Sequence, residues 1–436
     1  MEKKRRYIVK GNLSGIQEFI FDVKSKGAAR ELKKRSLYVS QLSKNLLKED
    51  QSFFKNDDFQ KIYEGGGNYF YEITTAKDAQ QLGDYFKAKN AKYLTSNLYP
   101  NYAITTHYKS FQEGIKAVNK ATLRKKQQRL LALHPFVETK EELNLNLNGY
   151  GINYHYPKDE SDDVLDFDHL SLRGKGDNKL AALKLDVDYL GKLFQNQTKN
   201  DYRYLSEKLN DFFDKELLKL IKKKNISDQI YVVFAGGDDC FLIGCWHAII
   251  ELAQEIRTAF KKLSKEIQTK INAIKAEITF SAGITIFPPK YPLKQMAEET
   301  ESFLNQAKKA GRNRVTILGH SLTWIDFAKT LEVKNQLYDL VENKGESKNL
   351  IQRVKSSDIG YAALQRSAQK GVLEMPRVWS LKFYLKNVKK GNEVEIENLF
   401  DEYSNSLIDD FMNKEVVTNP MAFPIAARLT ELLIKK

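Results

Sequence analysis

The sequence predicts an α+β protein in which two ferredoxin-like units, each mixing strands with helices, precede a domain built from helices alone. Three observations predict it. Two hairpins with glycine tips occupy matching places in two similar runs of strands and helices: Tyr63-Glu64-Gly65-Gly66-Gly67-Asn68-Tyr69-Phe70-Tyr71, and the stretch from Tyr231 to Gly244 around Ala235-Gly236-Gly237-Asp238-Asp239. That repeated order at low identity is the mark of an internal duplication. From Trp324 onward the alternating pattern of strands ends and apolar residues recur at helical spacing. The expected divisions are residues 1–132 for the first unit, 133–178 for a connector, 179–320 for the second unit and 321–436 for the helical domain.

In the first unit, Tyr7-Ile8-Val9-Lys10-Gly11-Asn12-Leu13 reads as a strand, Ser14-Gly15 as a tight turn and Ile16 as a helix start. A second helix is expected at 28–47, then the hairpin, a helix at 77–87, a strand at 102–107 and a helix at 111–131. In the connector, Asn144-Leu145-Asn146-Leu147-Asn148 alternates like a strand. The acids Asp159, Glu160, Asp162, Asp163, Asp166 and Asp168 lack EF-hand spacing and read as a solvated loop.

The second unit opens on the strand Leu183-Lys184-Leu185-Asp186-Val187. A helix at 201–224 carries Leu205, Leu209, Phe212, Phe213, Leu217 and Leu220 on one stripe. After the hairpin come a helix at 246–265 and a strand at 276–286. Tyr291-Pro292-Leu293 then opens a helix that Gly311 stops. In the last domain, Ile396, Leu399, Phe400, Tyr403 and Leu407 form one helical stripe, and Ala426, Leu429, Leu432 and Leu433 another.

A lone Gly-Gly-Asp-Asp is an ordinary turn. Here a second acidic strand end lies about fifty residues upstream, where Asp186 and Asp188 share a strand face. If the two strands are sheet neighbours, three or four carboxylates converge. Such a cluster is costly unless divalent cations neutralise it, and hard oxygen ligands suit Mg2+ or Mn2+. Paired ions of that kind clamp the attacking and leaving oxygens of phosphoryl or nucleotidyl transfer. Lys308, Arg312 and Arg314 close a helix near that tip, where cations also complement the helix dipole. Laying one unit on the other sets Asn12-Leu13-Ser14 against Asp186-Val187-Asp188, and Gly67-Asn68 against Asp238-Asp239. The first unit is therefore expected to keep the fold without the metal.

The 436 residues carry a net charge of +14, which favours polyanionic partners such as nucleic acid or nucleoside triphosphates. No apolar run reaches membrane-spanning length, and the N-terminal basic cluster precedes too short an apolar run for a signal peptide. Cys240 and Cys245 offer no zinc spacing. A cytoplasmic protein without zinc or membrane contact is expected.

In order along the chain, several short motifs together resemble the large subunit of type III CRISPR effector complexes. They are Ser14-Gly15-Ile16-Gln17-x-Phe19-Ile20, Gly27-Ala28-Ala29-Arg30-x-Leu32-x-x-Arg35-Ser36, Gly65-Gly66-Gly67-Asn68, Asp186-Val187-Asp188-x-Leu190-Gly191, Gly236-Gly237-Asp238-Asp239, Ser281-Ala282-Gly283 and Ala307-Lys308. The second unit also resembles GGDEF-type cyclases at Ala307-Lys308-x-x-Gly311-Arg312-Asn313-Arg314-Val315.

The resemblance implies two facing palm domains, ATP as substrate and synthesis of cyclic oligoadenylate messengers when partner subunits, guide RNA and target RNA assemble. It implies Asp186, Asp238 and Asp239 as catalytic metal-binding residues, with the Val187 carbonyl as a helper. Gly236, Gly237, Lys308, Arg312, Ser14 and Gly66 would contact nucleotide. Many family members also carry an HD nuclease domain and a four-cysteine zinc module. This sequence has no His-Asp dipeptide and no cysteine in the connector, so neither DNA cleavage nor zinc is expected. Two rival readings are a catalytically idle scaffold for guide and target RNA, and a stand-alone cyclic-dinucleotide cyclase.

Overall fold

A computed structural model describes residues 6–23, 27–45, 59–65, 68–73, 80–81, 84, 99–105, 110–131, 155–195, 197–357, 366, 370, 383–412 and 421–435. Gly66, most of the expected helix at 77–87 and the alternating run at 144–148 lie outside the described residues.

The first unit comprises β1 (Tyr7–Ser14), α1 (Ile16–Phe21), α2 (Ala28–Asn45), β2 (Phe59–Gly65), β3 (Asn68–Ile73), β4 (Tyr99–Thr105) and α3 (Phe111–Leu131). Its sheet runs β2-β3-β1-β4, all antiparallel. The second unit follows α4 (Phe167–Leu172) with β5 (Leu180–Val187), α5 (Leu190–Leu193), α6 (Lys199–Asp211), α7 (Leu217–Lys223), β6 (Ile230–Gly236), β7 (Asp239–Cys245), α8 (Trp246–Lys270), β8 (Phe280–Phe287) and α9 (Leu293–Lys309). Its sheet repeats the first order as β8-β5-β7-β6. Beyond β8 it is extended by a parallel β9 (Arg314–Ile317) and an antiparallel β10 (His320–Thr323). Both units are thus ferredoxin-like, with the first strand at the centre of each sheet.

Several boundaries differ from the sequence reading for local reasons. The strand expected from Ala276 starts at Phe280, because Ile278 N–H donates to Ser264 Oγ on α8 (2.8 Å) instead of to a neighbouring strand. Thr198 caps α6, its hydroxyl accepting from Asp201 N–H (3.1 Å), so the helix begins slightly early. Between α6 and α7 the chain makes a π turn, Phe212–Glu216. That wider turn lets the consecutive rings of Phe212 and Phe213 both bury against Phe260 of α8.

The helical domain comprises α10 (Trp324–Tyr338), α11 (Asn349–Ser356), α12 (Glu393–Met412) and α13 (Ala422–Ile434). A capping box of Thr323 and Asp326 starts α10, and Trp324 Nε1–H donates to Phe280 O (3.2 Å), tying this domain to β8. Its apolar face shares one core with the second sheet. Among the described residues, no helix is long and apolar enough to cross a membrane.

The two units meet through their helices. From the first unit, Phe21 packs on Phe241 at 4.8 Å and the Ala29 carbonyl accepts from the Tyr231 hydroxyl (2.9 Å). In return Tyr202 of α6 buries among Phe70 and Phe111 of the first unit. These contacts bring the end of β5 and the tip of the β6–β7 hairpin against the first sheet.

Candidate active site

The pairing register sets the site. Asp186 is directly opposite Asp239 across the β5–β7 ladder, and Gly236 is opposite Asp239 across β6–β7. Cross-strand partners share a sheet face with Cβ atoms about 5 Å apart. The tip itself is pinned at two points. Gly237 N–H donates to Asn210 Oδ1 of α6 (2.9 Å), and Val187 N–H donates to the Asp238 carbonyl (3.0 Å). Gly237 has φ 69°, a left-handed conformation that glycine adopts without cost. The sequence expectation that the two acidic strand ends become neighbours is met.

Cations surround the carboxylates from one side. Lys308, at the end of α9, places its Nζ 2.7 Å from Asp186 Oδ2. Glu301, two turns earlier on α9, pairs with the buried Lys184 of β5. The helix lies close because Gly283 of β8 has no side chain: a Cβ there would stand 2.5 Å from both Leu304 N and Thr300 O. Burial raises the proton affinity of all three acids. For Asp186 the neighbouring Lys308 opposes that rise, whereas Asp238 is raised further by Asp186, and Asp239 by Asp238.

Asp188, the fourth carboxylate that the sequence left open, is buried as a structural hub. Its carboxylate accepts from Thr279 Oγ1 (2.8 Å), Ser281 Oγ (2.7 Å) and Asn313 N–H (2.9 Å), and Arg312 lies 3.7 Å away. Arg312 also stacks over the Tyr189 ring at 4.3 Å. The guanidinium is therefore held beside the turn after β5, near the acidic tip. Ser14 ends β1 at the equivalent place in the first sheet and is buried opposite Tyr99. In that sheet Asn12 faces Asn68 as Asp186 faces Asp239.

A cavity of about 340 Å³ opens between the units beside Gly237 and Asp238. Its walls include Tyr63 and Phe70 from the first unit and Phe194 and Tyr202 from the second. Two buried acceptors in its lining, Gln197 Oε1 and Ser206 Oγ, have no hydrogen-bond partner. The cavity suits a flat apolar group with polar edges, placed next to carboxylates. Sequence reasoning missed Asn210, Lys184, Glu301 and this cavity. Only Lys184, a lone charge within an apolar strand, left a signal in the sequence.

The donor chemistry of Asp186, Asp238 and Asp239 fits a hard divalent cation. The three acids do not form a ready-made cage: among the described residues, no three Asp, Glu, His or Cys side chains are grouped to hold a metal ion. Asp186 is engaged by Lys308, so binding a cation at this trio requires Lys308 to turn away.

Residues 179–316 match the family model for the second palm domain of Cas10/Cmr2, and residues 6–140 match that for Csm1 subunit domain B. A CRISPR system single-strand-specific deoxyribonuclease Cas10/Csm1 (subtype III-A) from Enterococcus italicus is 31% identical over 220 residues, covering 49% of this chain and 27% of that protein. Its counterpart from Streptococcus thermophilus is 22% identical over 420 residues, covering 72% of this chain and 53% of that protein. The chain thus spans about a quarter to a half of the length of these relatives. The crystal structure of Csm1 from Thermococcus onnurineus superposes over 100% of this chain and 70% of its own, with a TM-score of 0.72 at 20% identity. A Csm1–Csm4 cassette in complex with one ATP gives the same TM-score at 19% identity, again over 100% and 70% of the two chains. At such identities these matches establish the fold.

Proposed function

This chain belongs to the large-subunit family of type III CRISPR effectors, and we propose that it is an ATP-dependent nucleotidyltransferase that makes cyclic oligoadenylate. The observation that carries the reading is the pairing of Asp186 with Asp239 beside Asp238, which with Gly237 lines an aromatic-walled cavity between the two units. Related Csm1–Csm4 cassettes have been solved with ATP and with cA4, which supports the same chemistry here.

Asp186, Asp238 and Asp239 would hold Mg2+ or Mn2+, with the Val187 carbonyl beside them. Bound there, such an ion neutralises phosphate charge and makes a 3′-hydroxyl more acidic. Gly236 and Gly237 expose the hairpin backbone so that a nucleotide approaches closely. Lys308 exchanges Asp186 for phosphate oxygens, and Arg312, held by Asp188 and Tyr189, faces the triphosphate. The cavity between Phe70 and Tyr202 takes a base and excludes water, while the first palm, with Asn12 and Asn68 in place of acids, holds the partner nucleotide without a metal. Ser14 and Gly66 would touch that nucleotide. Each turnover joins a 3′-oxygen to an α-phosphorus and releases pyrophosphate.

The net charge of +14 suits guide and target RNA, and a Csm4-like subunit is the expected protein partner. The test is incubation with labelled ATP and Mg2+ or Mn2+, alone and with partner subunits and target RNA, with products resolved by mass spectrometry. RNA-dependent cyclic oligoadenylate supports the proposal. Activity from the isolated chain would instead indicate a stand-alone cyclase, and tight RNA-complex binding without turnover would indicate a scaffold.

A further inference from the structure

Lys184 lies within β5 among Ala182, Leu183, Leu185 and Val187, and is itself 4% exposed. Its ammonium contacts Glu301 Oε2 on α9. Glu301 also accepts a hydrogen bond from the side chain of Gln17 on α1, so the pair is gripped from both units. Lys184 is two residues from Asp186 and therefore on the same sheet face. Asp239, opposite Asp186, shares that face and is the diagonal neighbour of Lys184, about 7 Å away.

Folding stability does not account for this pair, because apolar side chains of similar volume commonly stabilise an interior at least as well. Its position relative to the acids does. Lys184 stands on the sheet face that carries Asp186 and, diagonally across the β5–β7 ladder, Asp239, so its charge faces both carboxylates.

We propose that Lys184 is a built-in counter-cation of the acidic cluster alongside Lys308, a positioning residue whose strength Glu301 sets. The proposal rests on the metal-dependent reading of Asp186, Asp238 and Asp239. Before nucleotide arrives, three carboxylates crowd one strand end; Lys184 offsets their repulsion and keeps Asp186 and Asp239 in register. The same positive charge lowers the affinity of the empty site for a bare divalent ion, so the ion enters together with the triphosphate.

The test is Mn2+ binding to the full chain without nucleotide, followed by electron paramagnetic resonance, with melting temperature recorded for each variant. Lys184→Met should tighten Mn2+ binding by roughly three- to tenfold, the size expected for one charge at this range in a partly screened site. Glu301→Gln, which leaves Lys184 uncompensated, should weaken it by about threefold. Lys184→Arg should stay within about twofold of wild type. Opposite shifts from the two neutral variants are beyond a merely structural role, which would lower melting temperatures without moving affinity in two directions. If Lys184→Met fails to fold, the weakening in Glu301→Gln carries the test alone. Unchanged affinity in folded variants, or shifts of reversed sign, would overturn the proposal. Wild type and Lys184→Met that both bind no Mn2+, even with a non-hydrolysable ATP analogue present, would bring down the metal-dependent reading itself, and this inference with it.

Discussion

Asp186 and Asp239 face each other across β5 and β7, and the same two positions of the first sheet hold Asn12 and Asn68. One fold is therefore used twice, with carboxylates at one strand end and amides at the other. The asymmetry makes the second unit the place to look for chemistry and the first the place to look for a passive nucleotide seat.

The tip of the β6–β7 hairpin depends on one side chain from α6. Asn210→Ala removes the acceptor for Gly237 N–H. A single hydrogen bond contributes about 1 kcal/mol, so turnover should drop by roughly five- to tenfold with only a small change in melting temperature. Steady-state rates of Asn210→Ala and Asn210→Asp check this, since aspartate keeps the acceptor and should retain more activity.

The close approach of α9 depends on Gly283. Gly283→Ala would set a methyl 2.5 Å from the backbone of Thr300 and Leu304. Overpacking of this kind costs about 1–3 kcal/mol. Displacing α9 also moves Lys308 and Glu301 away from the acids. Denaturant unfolding should show the lost stability, and ATP turnover should fall in the protein that remains folded.

Acid should weaken the protein through His247. Its Nδ1 accepts from Lys175 N–H (3.3 Å), which requires an unprotonated nitrogen, and burial holds the imidazole down at about 4. The unfolded chain takes up a proton near 6.5 and the folded one does not. The stability is therefore fully present above pH 6.5 and is lost as pH falls toward 4, by up to about 3 kcal/mol. His247→Asn keeps an acceptor without the titration, so its melting temperature should fall less between pH 7 and pH 4.5. Parallel curves for the two proteins would count against this assignment.

Much of the fold was legible in the sequence because strand alternation, glycine tips and helical stripes are local signals. The order of elements around Tyr7–Ser14 and Leu180–Val187 needed nothing else, and the register now pairs Asn12 with Asn68 as the duplication implied. The site was legible in part. The pairing of Asp186 with Asp239 beside Asp238 was readable because their strands are neighbours, whereas spacing alone left open whether Asp188 was a fourth carboxylate of the cluster. Its true partners, Thr279, Ser281 and Asn313, come from segments about ninety or more residues away. Asn210, Glu301 and the inter-unit cavity had no local signature, since each matters only through packing between distant elements.

The most direct measurement is cyclic oligoadenylate synthesis by wild type and by Asp238→Ala/Asp239→Ala, each assembled with partner subunits and target RNA. The acidic-cluster account predicts product from wild type and none from the double variant at an unchanged melting temperature. Equal synthesis by both proteins would contradict it.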